Sequence, residues 1–495
     1  MEPIVATSYG KVRGSVQEGV ARFLGVPYAA APFGANRFGR PVAPEPWDGV
    51  RDALSHGPTA PKPEYRAVFA TLLDDPVIPG EECLNLNVWA PEDGARLPVM
   101  VWIHGGAFRN GSGAVPHYDG TNFARHGVVC VTINYRLGVE GFVQLPGAPA
   151  NRGLLDQIAA LEWVRDNIAA FGGDPGNVTV FGESAGGMSV TTLLSMNLGL
   201  FHKAITQSGA GQVVQTAEDA LLVTNELAAR LGVPPTAEGF AELPPEKILP
   251  VQMALSDEFA ARPDPARWGE STVRANLPYV PVVDGEVLRE HPVDAIAAGA
   301  SRGVPLLTGT TTEEYRFFLV PTGLAQEITA DGLGRALARR GIDPAIAEVY
   351  QRNRPEATPG DVLCAIITDS FFRIPTYRVA ELRGQESTYM YEFAWKTPVM
   401  NLGACHALEV GFVFGNLRPG GLAGDDQPRA LSAAMQRAWV DFATSGDPGW
   451  APYDLASRLV MVFDGDGGKV VHDPRADERL LWDNARSAAP SKPVA

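Results

Sequence analysis

Cysteine is scarce in this chain. Four occur in 495 residues (Cys83, Cys130, Cys364 and Cys405), widely scattered and with no C-x-x-C pair. That spacing supports neither a zinc cluster nor a disulfide framework. Cys130, inside the apolar run Val128-Val129-Cys130-Val131, reads as a buried free thiol. Positive charge is also short: 41 Lys and Arg stand against 57 Asp and Glu, a net charge of −16 with His neutral. A protein that neutralises phosphates needs the opposite sign, so nucleic acid is not an expected partner, and the acidity is read as solubility. No apolar run reaches the roughly 18 residues that a membrane-crossing helix needs. The N-terminal Met1-Glu2-Pro3-Ile4-Val5 lacks a basic segment followed by an apolar one, so no secretory signal is expected. There is no H-E-x-x-H or comparable ligand cluster, and neither a metal nor a cofactor is expected. Repeats, low-complexity linkers and charge blocks are absent as well. Residues 1–486 are therefore expected to form one domain, with 487–495, rich in Ala, Pro, Ser and Lys, as a disordered tail.

What is present is the composition of a globular protein, 45% hydrophobic and 20% charged, with 53 Gly and 41 Pro that point to many turns. Its most informative stretch is Gly182-Glu183-Ser184-Ala185-Gly186. The apolar, β-prone Val178-Thr179-Val180-Phe181 precedes it, and residues 185–194 read as a helix. Glycines two positions before and two after Ser184 remove the Cβ atoms that would clash in a tight strand-to-helix turn. Those are the mechanics of a nucleophile elbow, which holds a serine hydroxyl above a parallel sheet. Residues 99–103 and 128–133 are short continuous apolar runs of the kind buried on both faces of such a sheet. Apolar residues recur at helical spacing between 156 and 168, with Gly172-Gly173 beyond the helix end. This βαβα order predicts a doubly wound α/β sheet. Further on, helices are expected over 217–231 and 428–444, and strands over 304–307, 389–393 and 459–463.

Acyl transfer needs a nucleophile, a base to take its proton, and donors for the developing oxyanion. His104-Gly105-Gly106-Ala107-Phe108 directly follows the 99–103 strand, where a loop can turn backbone N–H groups toward a substrate carbonyl. His104 itself reads as structural. In this fold order the acid and then the base follow the serine, and His291, His406 and His472 lie far enough downstream. His291 is in a polar turn and His472 is near the C-terminal end. His406 follows small residues and leads into the apolar 410–414, a loop entering buried structure where a histidine can face a pocket and be held rigidly. For the acid, the strand 304–307 runs into a turn carrying Glu313 and Glu314; the residues alone leave that pair open.

With these motifs in hand the chain resembles the type B carboxylesterase family, which includes bacterial p-nitrobenzyl esterases and animal cholinesterases. The likeness runs from Gly10-Lys11-Val12-Arg13-Gly14 through Phe23-Leu24-Gly25-Val26-Pro27-Tyr28, Glu81 to Val88, Trp102 to Phe108, Asn134-Tyr135-Arg136 and residues 151–187. It continues in Pro281 to Gly285, Gly309 to Glu314, His406 with Gly415-Asn416, and Trp439 to Pro448. The resemblance implies an α/β-hydrolase fold with a large, mostly parallel central sheet flanked by helices. It implies Ser184 as nucleophile, His406 as base and Glu314 as acid, with the amides of Gly106, Ala107 and Ala185 as the oxyanion hole. It further implies that Ser208 hydrogen-bonds the acid, that Glu183 favours the imidazolium, and that Arg37–Glu82 and Arg136–Asp156 are structural ion pairs.

The chain departs from the family pattern at three places. Tyr315 stands where glycine usually follows the acid. Cys83 matches a cysteine that secreted relatives pair with one upstream, but residues 1–82 hold no other cysteine, which fits a reduced, cytoplasmic protein. Residues 63–82 contain no tryptophan, so the cation-binding site of cholinesterases has no counterpart there. The expected protein is thus a serine carboxylesterase acting on a small-molecule ester through an acyl-enzyme, with no membrane partner and a monomeric state. The alternatives are an amidase, lactonase or carbamate hydrolase using the same triad and, more remotely, a non-catalytic adhesion member of the fold.

Overall fold

The computed structural model describes residues 2–465 and 467–483; the tail expected over 487–495 lies outside them. An eleven-stranded sheet organises the chain. In chain order its strands are β1 (Ser15–Gln17), β2 (Val20–Pro27), β3 (Asn85–Pro91), β4 (Leu97–Ile103), β5 (Val129–Ile133) and β6 (Gly173–Glu183), followed by β7 (Lys203–Gln207), β8 (Leu306–Thr311), β9 (Thr388–Phe393), β10 (Leu459–Asp464) and β11 (Gly467–His472). Across the sheet the order is β11-β10-β9-β8-β7-β6-β4-β5-β3-β2-β1. The interior from β10 to β5 is parallel throughout. The β1–β3 edge and the β11 edge are antiparallel.

Strand β4 shows why the centre is apolar on both sides. Val99, Val101 and Ile103 belong to one buried cluster, and the alternating Met100 and Trp102 to another. Side chains two apart share a face of a strand, so the sheet is covered twice. On the first face lie α1 (Arg152–Asn167) and α2 (Ala185–Ser195), through Leu154, Leu161, Val164, Val190 and Leu193. On the second lies α3 (Arg429–Ser445), through Leu431, Met435, Trp439 and Phe442.

Several elements extend beyond their expected bounds. The helix expected over 156–168 begins at Arg152, because the buried guanidinium of Arg152 is saturated by the carbonyls of Val139, Glu140, Val143 and Pro149. The strand expected over 304–307 instead runs from Leu306 to Thr311, since a parallel ladder to β9 continues through Thr310 and Thr311. One expected ion pair is corrected. Arg37 pairs with Glu140 at 2.6 Å, both side chains nearly buried, whereas Glu82 pairs with Arg51 on the surface. Arg136 and Asp156 do meet, bidentate at 2.7 and 2.8 Å and fully buried. Among the described residues no helix is long and apolar enough to cross a membrane, and all four cysteines are free and buried.

Candidate active site

Strand β6 ends at Glu183, and the chain turns into α2 at Ser184, whose backbone sits at φ 56°, ψ −125°. A non-glycine residue there is strained by roughly 1–3 kcal/mol and persists only because its surroundings over-determine it. Two of those constraints are hydrogen bonds: the Ser184 N–H donates to the Gln207 carbonyl at 2.9 Å, and its carbonyl accepts from Met188 at 2.8 Å. A third is close packing. A Cβ at Gly186 would lie 1.9 Å from the Ile103 carbonyl oxygen, so only glycine lets α2 start against the end of β4.

That contact also brings the loop after β4 to the serine. A Cβ on Gly105 would lie 3.1 Å from the Ser184 Cβ. Ala107 and Phe108 both take left-handed φ, 55° and 57°, while the Phe108 ring is buried 4.8 Å from Phe142. Inside the loop, the N–H groups of Arg109 and Asn110 donate to the Gly106 carbonyl at 3.1 and 2.9 Å. From outside, Asp75 accepts from the Asn110 side chain at 3.2 Å and the Gly111 N–H at 3.4 Å. Lys62 in turn pairs with Asp75 and donates to the Gly111 carbonyl. The N–H groups of Gly106, Ala107 and Ala185 find no acceptor among the described residues. His104 is buried, stacked 4.4 Å from Tyr135, with Nδ1 at 2.8 Å from the Gly105 carbonyl. Burial pushes its pKa down to about 3, so it stays neutral.

Glu314 is wholly buried just past the end of β8. Its Oε1 accepts from the Thr311 N–H at 2.8 Å and from the Ser208 hydroxyl at 2.5 Å. Its Oε2 lies 2.6 Å from His406 Nδ1, and His406 Nε2 lies 2.8 Å from Ser184 Oγ. When the ring is neutral, with the carboxylate as acceptor, Nδ1 carries the proton and Nε2 is free to accept the serine hydroxyl. The structure thus brings together Ser184, His406, Glu314 and Ser208. Glu313 faces elsewhere: it accepts from the Ala404 N–H at 3.1 Å and lies 3.2 Å from Lys396, bracing the loop that carries His406. Tyr315 is tied down by its N–H to Thr368 at 3.0 Å. His291 caps a helix through the Val293 N–H at 3.3 Å, and His472 lies exposed on the edge strand β11.

Glu183 reaches the same imidazole, with Oε1 3.2 Å from His406 Nε2 and no hydrogen bond on that oxygen. A third carboxyl group, Glu409, escaped the sequence reading. It lies fully buried three residues past His406 and accepts from Gln207 Nε2 at 3.2 Å; Gln207 is itself fixed by Trp439 at 3.1 Å. The signal for Glu409 was a lone acid between apolar Leu408 and Val410. Burial opposes a charge on His406, but the carboxylates of Glu183 and Glu314 outweigh it and hold the ring's pKa up at about 9. Burial also raises Glu183 to about 7, and raises Glu409 to about 8 with help from its acidic neighbours. These groups titrate as a coupled set. The rings of Phe372, Phe318 and Phe317 wall the imidazole at 4.9, 5.2 and 6.2 Å.

A serine in a strained turn at the carboxyl end of a central parallel strand, with an acid and a histidine arriving from later loops, defines the α/β-hydrolase fold. Residues 1–465 match the model of the carboxylesterase family, and the chain belongs to that family. It is 38% identical to the para-nitrobenzyl esterase of Bacillus subtilis, over 96% of this chain and 97% of that protein. It is 33% identical to the phenmedipham hydrolase of Pseudarthrobacter oxydans, over 95% and 97% respectively. Among solved structures, a Geobacillus stearothermophilus carboxylesterase superposes with a TM-score of 0.84 at 39% identity, over 97% of this chain and 99% of that one. The protein is a carboxylic ester hydrolase.

Proposed function

We propose that the enzyme cleaves esters in two half-reactions through a covalent acyl-enzyme on Ser184. His406 Nε2 takes the proton of Ser184 Oγ as that oxygen bonds to the ester carbonyl carbon, and the carbonyl π electrons move onto oxygen. Gly106, Ala107 and Ala185 donate their amides to the oxyanion. As the intermediate collapses, the bond to the alcohol breaks and its oxygen takes the proton from His406. Water then repeats the sequence: His406 removes one proton, the hydroxyl oxygen bonds to the acyl carbon, and Ser184 leaves with that proton restored. Glu314 holds the tautomer and stabilises the imidazolium throughout, without itself taking the proton. Four free, buried cysteines are in keeping with a reducing, cytoplasmic setting for this chemistry.

The observation that carries this reading is the unbroken relay of 2.8 and 2.6 Å from Ser184 Oγ through His406 to Glu314. Ser184→Ala is expected to lower kcat by roughly a million-fold, the scale seen when a serine-enzyme nucleophile is removed. A fluorophosphonate probe should add one phosphonyl group to Ser184, located by peptide mass spectrometry. Labelling on another residue, or substantial turnover by a purified Ser184→Ala protein, would refute the assignment.

A further inference from the structure

Arg109 is a cation on the amide loop that, unlike Lys62 and Arg66, has no carboxylate partner among the described residues. It stands two residues beyond Ala107, so its Cα is no more than about 7.6 Å from that of Ala107, two virtual bonds away. The side chain is half-buried. Among the described residues its guanidinium makes no hydrogen bond and no ion pair, and Nε is wholly shielded from solvent without an acceptor. The fully buried arginines are treated differently. Arg136 is bidentate on Asp156, Arg373 is bidentate on Asp369, and Arg152 is saturated by four carbonyls. Arg13, Arg22 and Arg475 share the unpaired Nε, but Arg13 is ion-paired with Glu2 and Arg475 with Glu392, and Arg22 lies on β2, toward the antiparallel edge of the sheet.

Shielding one N–H of a guanidinium without an acceptor is unfavourable, and its two terminal nitrogens stay open to a ligand, so an anion from outside the chain would complete the group. The surroundings agree. The acid that acts on Arg109, Asp257, is already engaged by Arg66. The Tyr65 hydroxyl lies within electrostatic reach of both the Arg109 charge and the Glu183 carboxylate. An anion entering a centre that contains Glu183, Glu314 and Glu409 needs a compensating cation, and Arg109 carries one on the same loop as Gly106 and Ala107.

We propose that Arg109 forms a carboxylate-binding subsite beside the amide loop, so that the enzyme favours esters bearing a second, ionised carboxyl group several bonds from the scissile carbonyl. This rests on the esterase reading above and names the substrate class for that site. Planar, bidentate recognition of a carboxylate is what a guanidinium does best.

The test compares kcat/KM for p-nitrophenyl hydrogen adipate with its ω-methyl ester, and for 4-acetoxybenzoate with its methyl ester. The first pair carries the charge on the acyl side, the second on the alcohol side. In the native enzyme at low salt the anion-to-neutral ratio should exceed about ten in one pair, matching the low end for hydrogen bonds to charged groups. Arg109→Gln should bring that ratio to about one, and Arg109→Lys should retain part of it, because a point charge survives without the bidentate fork. The ratio is the readout, so a general loss from a disturbed loop cancels. Calorimetric titration with 6-oxooctanoate, the ketone counterpart of monomethyl adipate, involves no ester cleavage: binding present in the native protein and lost in Arg109→Gln supports the subsite even if the Ser184 assignment fails. Equal binding in both proteins, or a ratio near one for both native pairs while neutral esters are hydrolysed, overturns the subsite and leaves the esterase intact.

Discussion

At the scale of single residues, the two adjacent glutamates show how one carboxyl group differs from its neighbour by environment alone. Glu314 accepts from Thr311, Ser208 and His406; Glu313 braces the Ala404 amide and Lys396. Glu314→Gln is therefore expected to lower kcat by about 10⁴, the cost of presenting the wrong tautomer in serine enzymes. Glu313→Gln should change it by far less, and a reversal of the two effects in steady-state assays would mean that Glu313 is the acid. Glu183 offers a second test, with a definite sign. In the proposed mechanism His406 acts as base only when neutral, and its pKa is held up at about 9, so kcat/KM should keep rising through the alkaline range. Glu183, itself ionised above about pH 7, is the largest of the influences holding that value up. Glu183→Gln removes the charge, so the ascending limb should move to lower pH; a profile that stays put would show that Glu183 does not act on the imidazole.

At the scale of elements, the core of β4 was readable as the continuous apolar run 99–103, although the strand begins two residues earlier, at Leu97. What the run could not show is the unequal size of its two faces. Trp102 is fully buried among Phe181, Tyr118 and Phe414, at ring distances of 4.8, 5.0 and 5.1 Å. Trp102→Ala should cost about 3–5 kcal/mol of stability, as large-to-small changes of buried aromatics do, measurable by urea unfolding. A loss under 1 kcal/mol would mean that the cluster collapses into the space. The elbow was legible because its signals, β-prone residues before it and two flanking glycines, fall within a few residues of Ser184. The reach of β8 to Thr311 was not, since the polar Thr308, Thr310 and Thr311 look like a turn until the ladder to β9 buries them.

At the scale of the whole molecule, the four free cysteines predict that reductant leaves the thermal midpoint unchanged; a fall of several degrees with dithiothreitol would reveal a disulfide. The likeness to the family rests on motifs spread over most of the chain, which is why fold class and reaction class could be read before any coordinates. The sequence by itself determined the element types, the serine turn and the glycine-rich loop, because each depends on sterics and periodicity that act over a few neighbouring residues; His406 stood out through the likeness to the family. Only the tertiary structure set Glu314 and not Glu313 against His406, gave Arg37 to Glu140 instead of Glu82, buried Glu409 and, among the described residues, left the Arg109 guanidinium without a hydrogen bond or ion pair. Those outcomes depend on distances between segments far apart in the chain, such as the 222 residues between Ser184 and His406, and no local rule ranks one carboxylate over its neighbour until packing has set those distances.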